Sequence, residues 1–282
     1  MLAEEILSSL QILPLDTLRI HEQTIPENER NLRETMLNLG RLVDPIIVDQ
    51  KNSVVLDGNH RRAVLAALKA EHAVCQVVDY NSSDIRVGGW YLATQSLPLE
   101  RMGKAESVDR AAGQAALDRM DAAFLIVKRK NGVDSFSLLP SSERKLPTML
   151  ADQRKYLGML KGAGHADTGG NGDNGNGENG NNHDLHFIED SRLDYFLERG
   201  YSVLMRRVFT KEEIIREAVA GRPLPPKSTR HMIPNRIIRL NFHLGYLNEP
   251  PEAAWNYLSE QVKKRVRYGS ARYYTESVIV LY

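Results

Sequence analysis

Short apolar runs and amphipathic stretches alternate along the chain. Residues 18–20, 45–48, 54–56 and 73–80 are apolar segments of strand length, and runs of that size bounded by polar turns predict β-strands. Residues 28–39 place Leu32, Met36 and Leu39 at three- and four-residue spacing, which predicts a helix with one buried face, and Gly40 stands where such a helix ends. Asp57-Gly58 closes a strand, and Asn59 or His60 opens a second helix through Ala63, Leu65, Ala66 and Leu68. A third helical pattern covers 104–121. Strands at 123–128 and 135–139 flank Asn131-Gly132, the dipeptide most favoured in tight hairpins. Further on, 201–208 reads as a strand, 211–220 as a helix capped by Thr210 and ended by Gly221, 253–266 as a helix and 278–281 as a closing strand. No repeat of fixed period is present. The pattern predicts a mixed α/β (α+β) protein.

Length divides this pattern. A chain of 282 residues exceeds the usual size of one domain, so two modest α/β domains with a cleft between them are expected. The expected boundaries are 1–100 for the first and 101–161 with 185–230 for the second, with 231–282 packing back on the core. From 162 to 184 the composition collapses into Gly, Asn and Asp, too little apolar area to offset the entropy of ordering, which predicts a flexible insert.

Composition removes several function classes. Apolar residues are 42% and charged residues 26%; the longest apolar run, 122–127, falls far short of the roughly 18 residues a spanning helix needs. Acidic Glu4 and Glu5 stand where a secretory leader would be basic, so a cytoplasmic protein without a membrane partner is expected. The one cysteine, Cys75, lies inside the apolar run 73–78 and is expected to be a buried structural thiol; no Cys/His spacing suggests a zinc finger. A net charge of +1 lacks the basic excess of a dedicated nucleic-acid binder.

Four places carry candidate chemistry. In Val54-Val55-Leu56-Asp57-Gly58-Asn59-His60-Arg61-Arg62 a strand, a glycine turn and a helix start follow one another, exposing unpaired backbone N–H groups and the positive end of a helix dipole to an anion. Arg61 or Arg62 adds a forked donor and His60 a donor or proton-transfer group; a solvated helix cap explains the same pattern. In Pro225-Pro226-Lys227-Ser228-Thr229-Arg230-His231 the prolines fix the backbone ahead of polar and basic residues able to meet one ligand, or simply a solvent-facing loop. Glu22, in His21-Glu22-Gln23 just after a predicted strand, is either a general base for a hydroxyl or an ordinary exposed carboxylate. Trp90 follows glycines that let backbone approach a ligand; a core tryptophan is the alternative.

Read in order, these pieces resemble the free serine kinases of the ParB/sulfiredoxin superfamily, known as archaeal ADP-dependent enzymes and as relatives in bacterial siderophore pathways. The family's early His-Glu-Gln is His21-Glu22-Gln23, its phosphate turn Asp57-Gly58-Asn59-His60-Arg61, its tryptophan Trp90, and its late Pro-Lys-Thr-Thr-Arg-His is Pro226-Lys227-Ser228-Thr229-Arg230-His231. The six-residue late motif, with one Ser-for-Thr exchange, is the most specific. The likeness covers roughly residues 13–243 outside the insert, with a looser match at Tyr274-Thr275-Glu276. It implies a ParB/sulfiredoxin-like first domain and transfer of the terminal phosphoryl group of ADP or ATP, with Mg2+, to the hydroxyl of free L-serine. By that resemblance Glu22 is the base, with His60 and Asp57 also catalytic and Asp57 near the hydroxyl or the magnesium. Gly58, Asn59, His60, Arg61, Arg230 and His231 hold the nucleotide, while Trp90, Lys227, Ser228, Thr229, Arg230 and His231 enclose serine. Asn59 departs from the pattern, a neutral amide in place of a family histidine.

Two other classes share the fold. A ParB-like DNA-binding regulator requires a basic recognition helix, whereas 104–121 balances Lys104, Arg110 and Arg119 against Glu106, Asp109, Asp118 and Asp121. A sulfiredoxin requires a cysteine in the phosphate turn, where this chain has Asn59. A non-catalytic nucleotide or amino-acid sensor would keep the turn without needing Glu22.

Overall fold

The computed structural model describes residues 2–103, 105–162 and 185–274. They divide into two compact units: the described residues within 1–86, 211–226 and 231–282 form the first, those within 87–210 and 227–230 the second. The sequence reading put the first boundary at residue 100 and gave 185–230 to the second domain. Instead the chain leaves the first unit at Arg86, returns at Lys211, and crosses twice more around the late motif.

The first unit opens with α1 (Leu2–Ser8), β1 (Leu10–Pro14) and β2 (Arg19–Ile20). Helix α2 (Pro26–Leu39) follows, with Pro26 in its first turn beside Glu27 and Glu29, where a fixed φ and negative charge suit a helix start. Its buried face is Met36 with Leu32 packed partly against the core, while Leu39, expected on that face, is exposed in the last turn before Gly40. Next come β3 (Ile46–Asp49), β4 (Val54–Asp57), α3 (Asn59–Ala67) and β5 (His72–Val78). The five strands form one sheet in the order β1-β5-β3-β4-β2. Leu10, Ile46, Val48, Val55, Val74 and Cys75 build its core. Cys75 is fully buried, and burial pushes its thiol up, so it stays a protonated apolar filler as expected.

The second unit carries β6 (Tyr91–Thr94), β7 (Glu106–Val108), α4 (Arg110–Asp118), β8 (Ala122–Lys130), β9 (Val133–Pro140), α5 (Leu146–Gly162), β10 (His186–Ile188) and β11 (Ser202–Met205). Its sheet runs β10-β6-β11-β8-β9-β7. The hairpin β8–β9 turns at Asn131 and Gly132 with φ of 53° and 77°, the pair of left-handed residues that a two-residue turn needs to match strand twist. The single helix expected at 104–121 is corrected: 106–108 pairs with β9 as a strand, and the Asp109 carboxylate accepts the Ala112 N–H at 2.8 Å, so the helix starts only at Arg110. Lys104 lies outside the described residues.

The chain re-enters the first unit with α6 (Lys211–Val219) and, later, α7 (Pro251–Arg267), close to the helices expected at 211–220 and 253–266. The predicted insert beyond Gly162, the strand at 278–281 and Thr275-Glu276 fall outside the described residues. Among the described residues no helix is long and apolar enough to cross a membrane.

Candidate active site

In the first unit, the candidate residues converge on the end of β4. Residue 21 follows β2, which runs parallel to β4, so His21 arrives beside Val55. The His21 Nδ1–H donates to the Val55 carbonyl. His231, from the late motif, bonds the next carbonyl, Leu56, and its Nε2 lies 2.7 Å from the Tyr80 hydroxyl. The two rings meet edge to face at 5.0 Å. Burial holds both imidazoles below their ordinary pKa, that of His231 to about 3, with His21 as its second cause. Both are therefore neutral, Tyr80 donates to His231 Nε2, and the pair fixes consecutive carbonyls of the strand that leads into Asp57-Gly58. His231, expected as a phosphate or substrate contact, is buried here with its Nε2 on the Tyr80 hydroxyl.

Two consequences are measurable. Tyr80→Phe leaves a buried ring nitrogen unsatisfied and is expected to cost about 1–3 kcal/mol of stability, seen as a lower urea midpoint at unchanged m-value. His231 and His21 bind protons more readily unfolded than folded, so below about pH 6.5 the unfolded chain takes up more protons. Stability is therefore full above that pH and is lost as pH falls from about 6.5 toward the folded value of about 3. Urea titrations at pH 7.5 and 5 check this; equal stabilities at both would contradict it.

Glu22 stands next to this pair, its Oε1 4.0 Å from His21 Nε2. Its backbone is clamped: Leu224 N–H donates to the His21 carbonyl and Gln23 N–H to the Leu224 carbonyl, both at 2.8 Å. The carboxylate is thus carried on a short fixed bridge to the segment after α6.

The glycine turn is as specific as its sequence suggested. Gly58 has φ of +101°, and a Cβ there would lie 2.8 Å from Arg61 Nε. Asn59 then begins α3, leaving its first N–H groups without helical partners. The side chains around this turn differ from expectation. Arg61 bonds Asp57 at 2.7 Å and faces Asp44 at 3.5 Å, so its fork braces the turn. Arg236, which sequence reading missed, grips the same Asp57 oxygen. Burial opposes charge on Asp57, but Arg61 and Arg236 outweigh it and hold the carboxyl below its usual value. His60 Nε2 accepts the Ile25 N–H at 3.0 Å, fixing the entry to α2. Asn59 is buried, its amide 3.1 Å from His21 Nδ1. Because Nδ1 already donates to Val55, the amide oxygen is the atom suited to that contact. Asn59 therefore supports the strand from within, and what the turn offers an anion is backbone.

Asp57, expected near the hydroxyl or the magnesium, has one of its oxygens held by two guanidiniums.

The second unit gathers the rest of the late motif around Trp90. The Trp90 indole N–H donates to the Thr229 carbonyl at 3.1 Å, and the Lys227 ammonium lies 5.1 Å from its ring. Arg206, buried, donates to the Lys227 carbonyl at 3.3 Å, and Lys227 has φ of 58°. Arg230 pairs with Glu189 at 2.9 Å. Ser228 is buried, and its hydroxyl finds no hydrogen-bond partner among the described residues. Sequence reading named Trp90 but missed Arg206 and Glu189, isolated residues whose relevance comes only from folding.

No family model matches the chain. Its sequence is 25% identical to the ADP-dependent L-serine kinase SerK of Thermococcus kodakarensis over 231 residues, 79% of this chain and 86% of that protein. It is 24% identical to the ATP-dependent L-serine kinase of Staphylothermus marinus, over 79% of this chain and 85% of the relative. The relatives it matches in sequence are thus L-serine kinases. Among solved structures, a free serine kinase in complex with AMP superposes with a TM-score of 0.63 at 22% identity, covering 85% of this chain and 93% of the other. The fold of SbnI from Staphylococcus aureus, with a C-terminal truncation, matches at 0.68 and 14% identity over 92% and 98%. The free serine kinase fold thus spans both units of this chain.

Proposed function

We propose that the chain transfers the terminal phosphoryl group of ADP or ATP to the hydroxyl of free L-serine, giving O-phospho-L-serine. The relationship to L-serine kinases over 79% of the chain carries the reading, and the chemistry at the end of β4 is consistent with it. Glu22 takes the proton of the serine hydroxyl as its oxygen bonds the terminal phosphorus; the bond from that phosphorus to the bridging oxygen breaks, and AMP or ADP leaves. Phosphoryl transfer asks for alignment and charge neutralisation rather than covalent help. Backbone N–H groups at Gly58, Asn59 and the first turn of α3 meet the phosphates, with Asp57, Arg61 and Arg236 holding that turn in shape and His60 steadying the segment after Glu22. Trp90, Lys227, Thr229 and Arg230 are assigned to serine, with Ser228 as their buried support. Unit one is taken as the ParB/sulfiredoxin-like domain. Magnesium, where required, is assigned to the nucleotide phosphates, a common mode for that ion; no step here depends on a protein-bound metal.

The test is to incubate the purified chain with serine, magnesium and ADP or ATP in turn, with homoserine and threonine alongside. Phosphoserine formed together with AMP or ADP is expected. No phosphorylated amino acid with either nucleotide would remove the kinase reading.

A further inference from the structure

Gln76 lies on β5, 3% exposed, and both ends of its amide bond one stretch of backbone. Its Nε2 donates to the Asn235 carbonyl at 2.9 Å, and its Oε1 accepts the Ile237 N–H at 3.0 Å. These are the two neighbours of Arg236, so one buried side chain pins the peptide on both sides of the guanidinium that grips Asp57. The sheet register explains the reach. Gln76 pairs with Ile47 across β5–β3, and Ile47 with Asp57 across β3–β4, so Gln76 and Asp57 share a row two strands apart, about 10 Å. The 235–237 segment spans that row. Asn235 sits at φ of 53°, a left-handed conformation uncommon outside glycine, and its side-chain oxygen accepts the Tyr273 hydroxyl at 2.6 Å. Tethers to Gln76 and Tyr273 thus hold this bend.

We propose that Gln76 is a positioning residue for nucleotide binding: by fixing both neighbours of Arg236 it sets the guanidinium that, opposite Arg61, holds Asp57 and the Gly58 turn in their phosphate-receiving shape. This rests on the kinase reading only in taking that turn as the phosphate site. A glutamine suits the task because it offers a donor and an acceptor on one planar group, as the two ends of a peptide segment require. Leucine has similar bulk and neither group.

The experiment is a double-mutant cycle on the full chain, read by calorimetric ADP binding and by steady-state kinetics. Gln76→Leu and Arg236→Lys are each expected to weaken ADP binding about tenfold. The double variant should stay within about twofold of Arg236→Lys alone, because Gln76 acts through Arg236. The nucleotide KM should rise while the serine KM stays within about twofold, a split that general loosening of the fold would not give. ADP affinity unchanged in Gln76→Leu, or losses that multiply in the double variant, would overturn the proposal. Gln76→Glu keeps the length and the acceptor for Ile237 N–H, and runs the same cycle if Gln76→Leu does not fold. A wild type that binds ADP but makes no phosphoserine removes the kinase reading while the binding cycle still decides Gln76. A wild type that binds no ADP removes both.

Discussion

Replacing Glu22 by glutamine is expected to lower kcat by about 10²- to 10⁴-fold, the range a positioned general base contributes. The amide has the carboxylate's shape but cannot take the serine proton. The backbone on both sides of residue 22 is held by main-chain bonds to Leu224 that the substitution does not touch, and the contact to His21 is at the outer edge of an ion pair. His21 is neutral, so that contact is not a pair of charges. Nucleotide KM should stay close to wild type, and the loss should fall on kcat and kcat/KM together, as for an interaction made in the transition state. Wild-type turnover in Glu22→Gln would take the base away from this residue.

The second large effect is expected at Gly58. An alanine there meets two penalties. A φ of +101° is one that L side chains rarely adopt, and the new Cβ would sit 2.8 Å from Arg61 Nε and 2.9 Å from its Nη2. A guanidinium end ordinarily moves aside cheaply, but this one is tied to Asp57 at 2.7 Å and faces Asp44 at 3.5 Å. Either Arg61 gives up those partners or the turn shifts. Gly58→Ala is expected to cost about 1–3 kcal/mol of stability and to weaken ADP binding at least tenfold, measured by calorimetry beside a thermal melt. A variant with lowered stability and undiminished ADP affinity would mean that phosphates do not bind at this turn.

How far the sequence could be read depended on whether a signal was local. The Asn131-Gly132 hairpin was legible because the two left-handed residues are a requirement of the turn itself. The strand, Gly58 and helix start were legible for the same reason. Helix α5 was missed although Leu146, Met149, Tyr156 and Leu160 recur on one face. The position between them is Gln153, a polar residue whose burial makes sense only once its amide reaches the Ala123 carbonyl at 3.0 Å. The helix expected at 104–121 failed because Glu106, Ser107 and Val108 find a partner strand in β9 that helical spacing does not register. Side-chain roles were the least legible. Asn59, His60, Arg61 and His231 each read as ligand-facing polar groups, and each turned out to hold a piece of protein.

The sequence by itself determined the α/β character, the glycine turn at the head of α3 and the motifs that carry the family resemblance, because each depends on spacing or backbone conformation within a few residues. Only the tertiary structure decided which polar side chains support the turn and which remain for a ligand. That choice depends on partners far along the chain: His231 on Tyr80, Arg236 on Asp57, Gln76 on both neighbours of Arg236. A buried donor or acceptor must be satisfied by whatever folding brings within about 3 Å, and sequence order does not encode that distance.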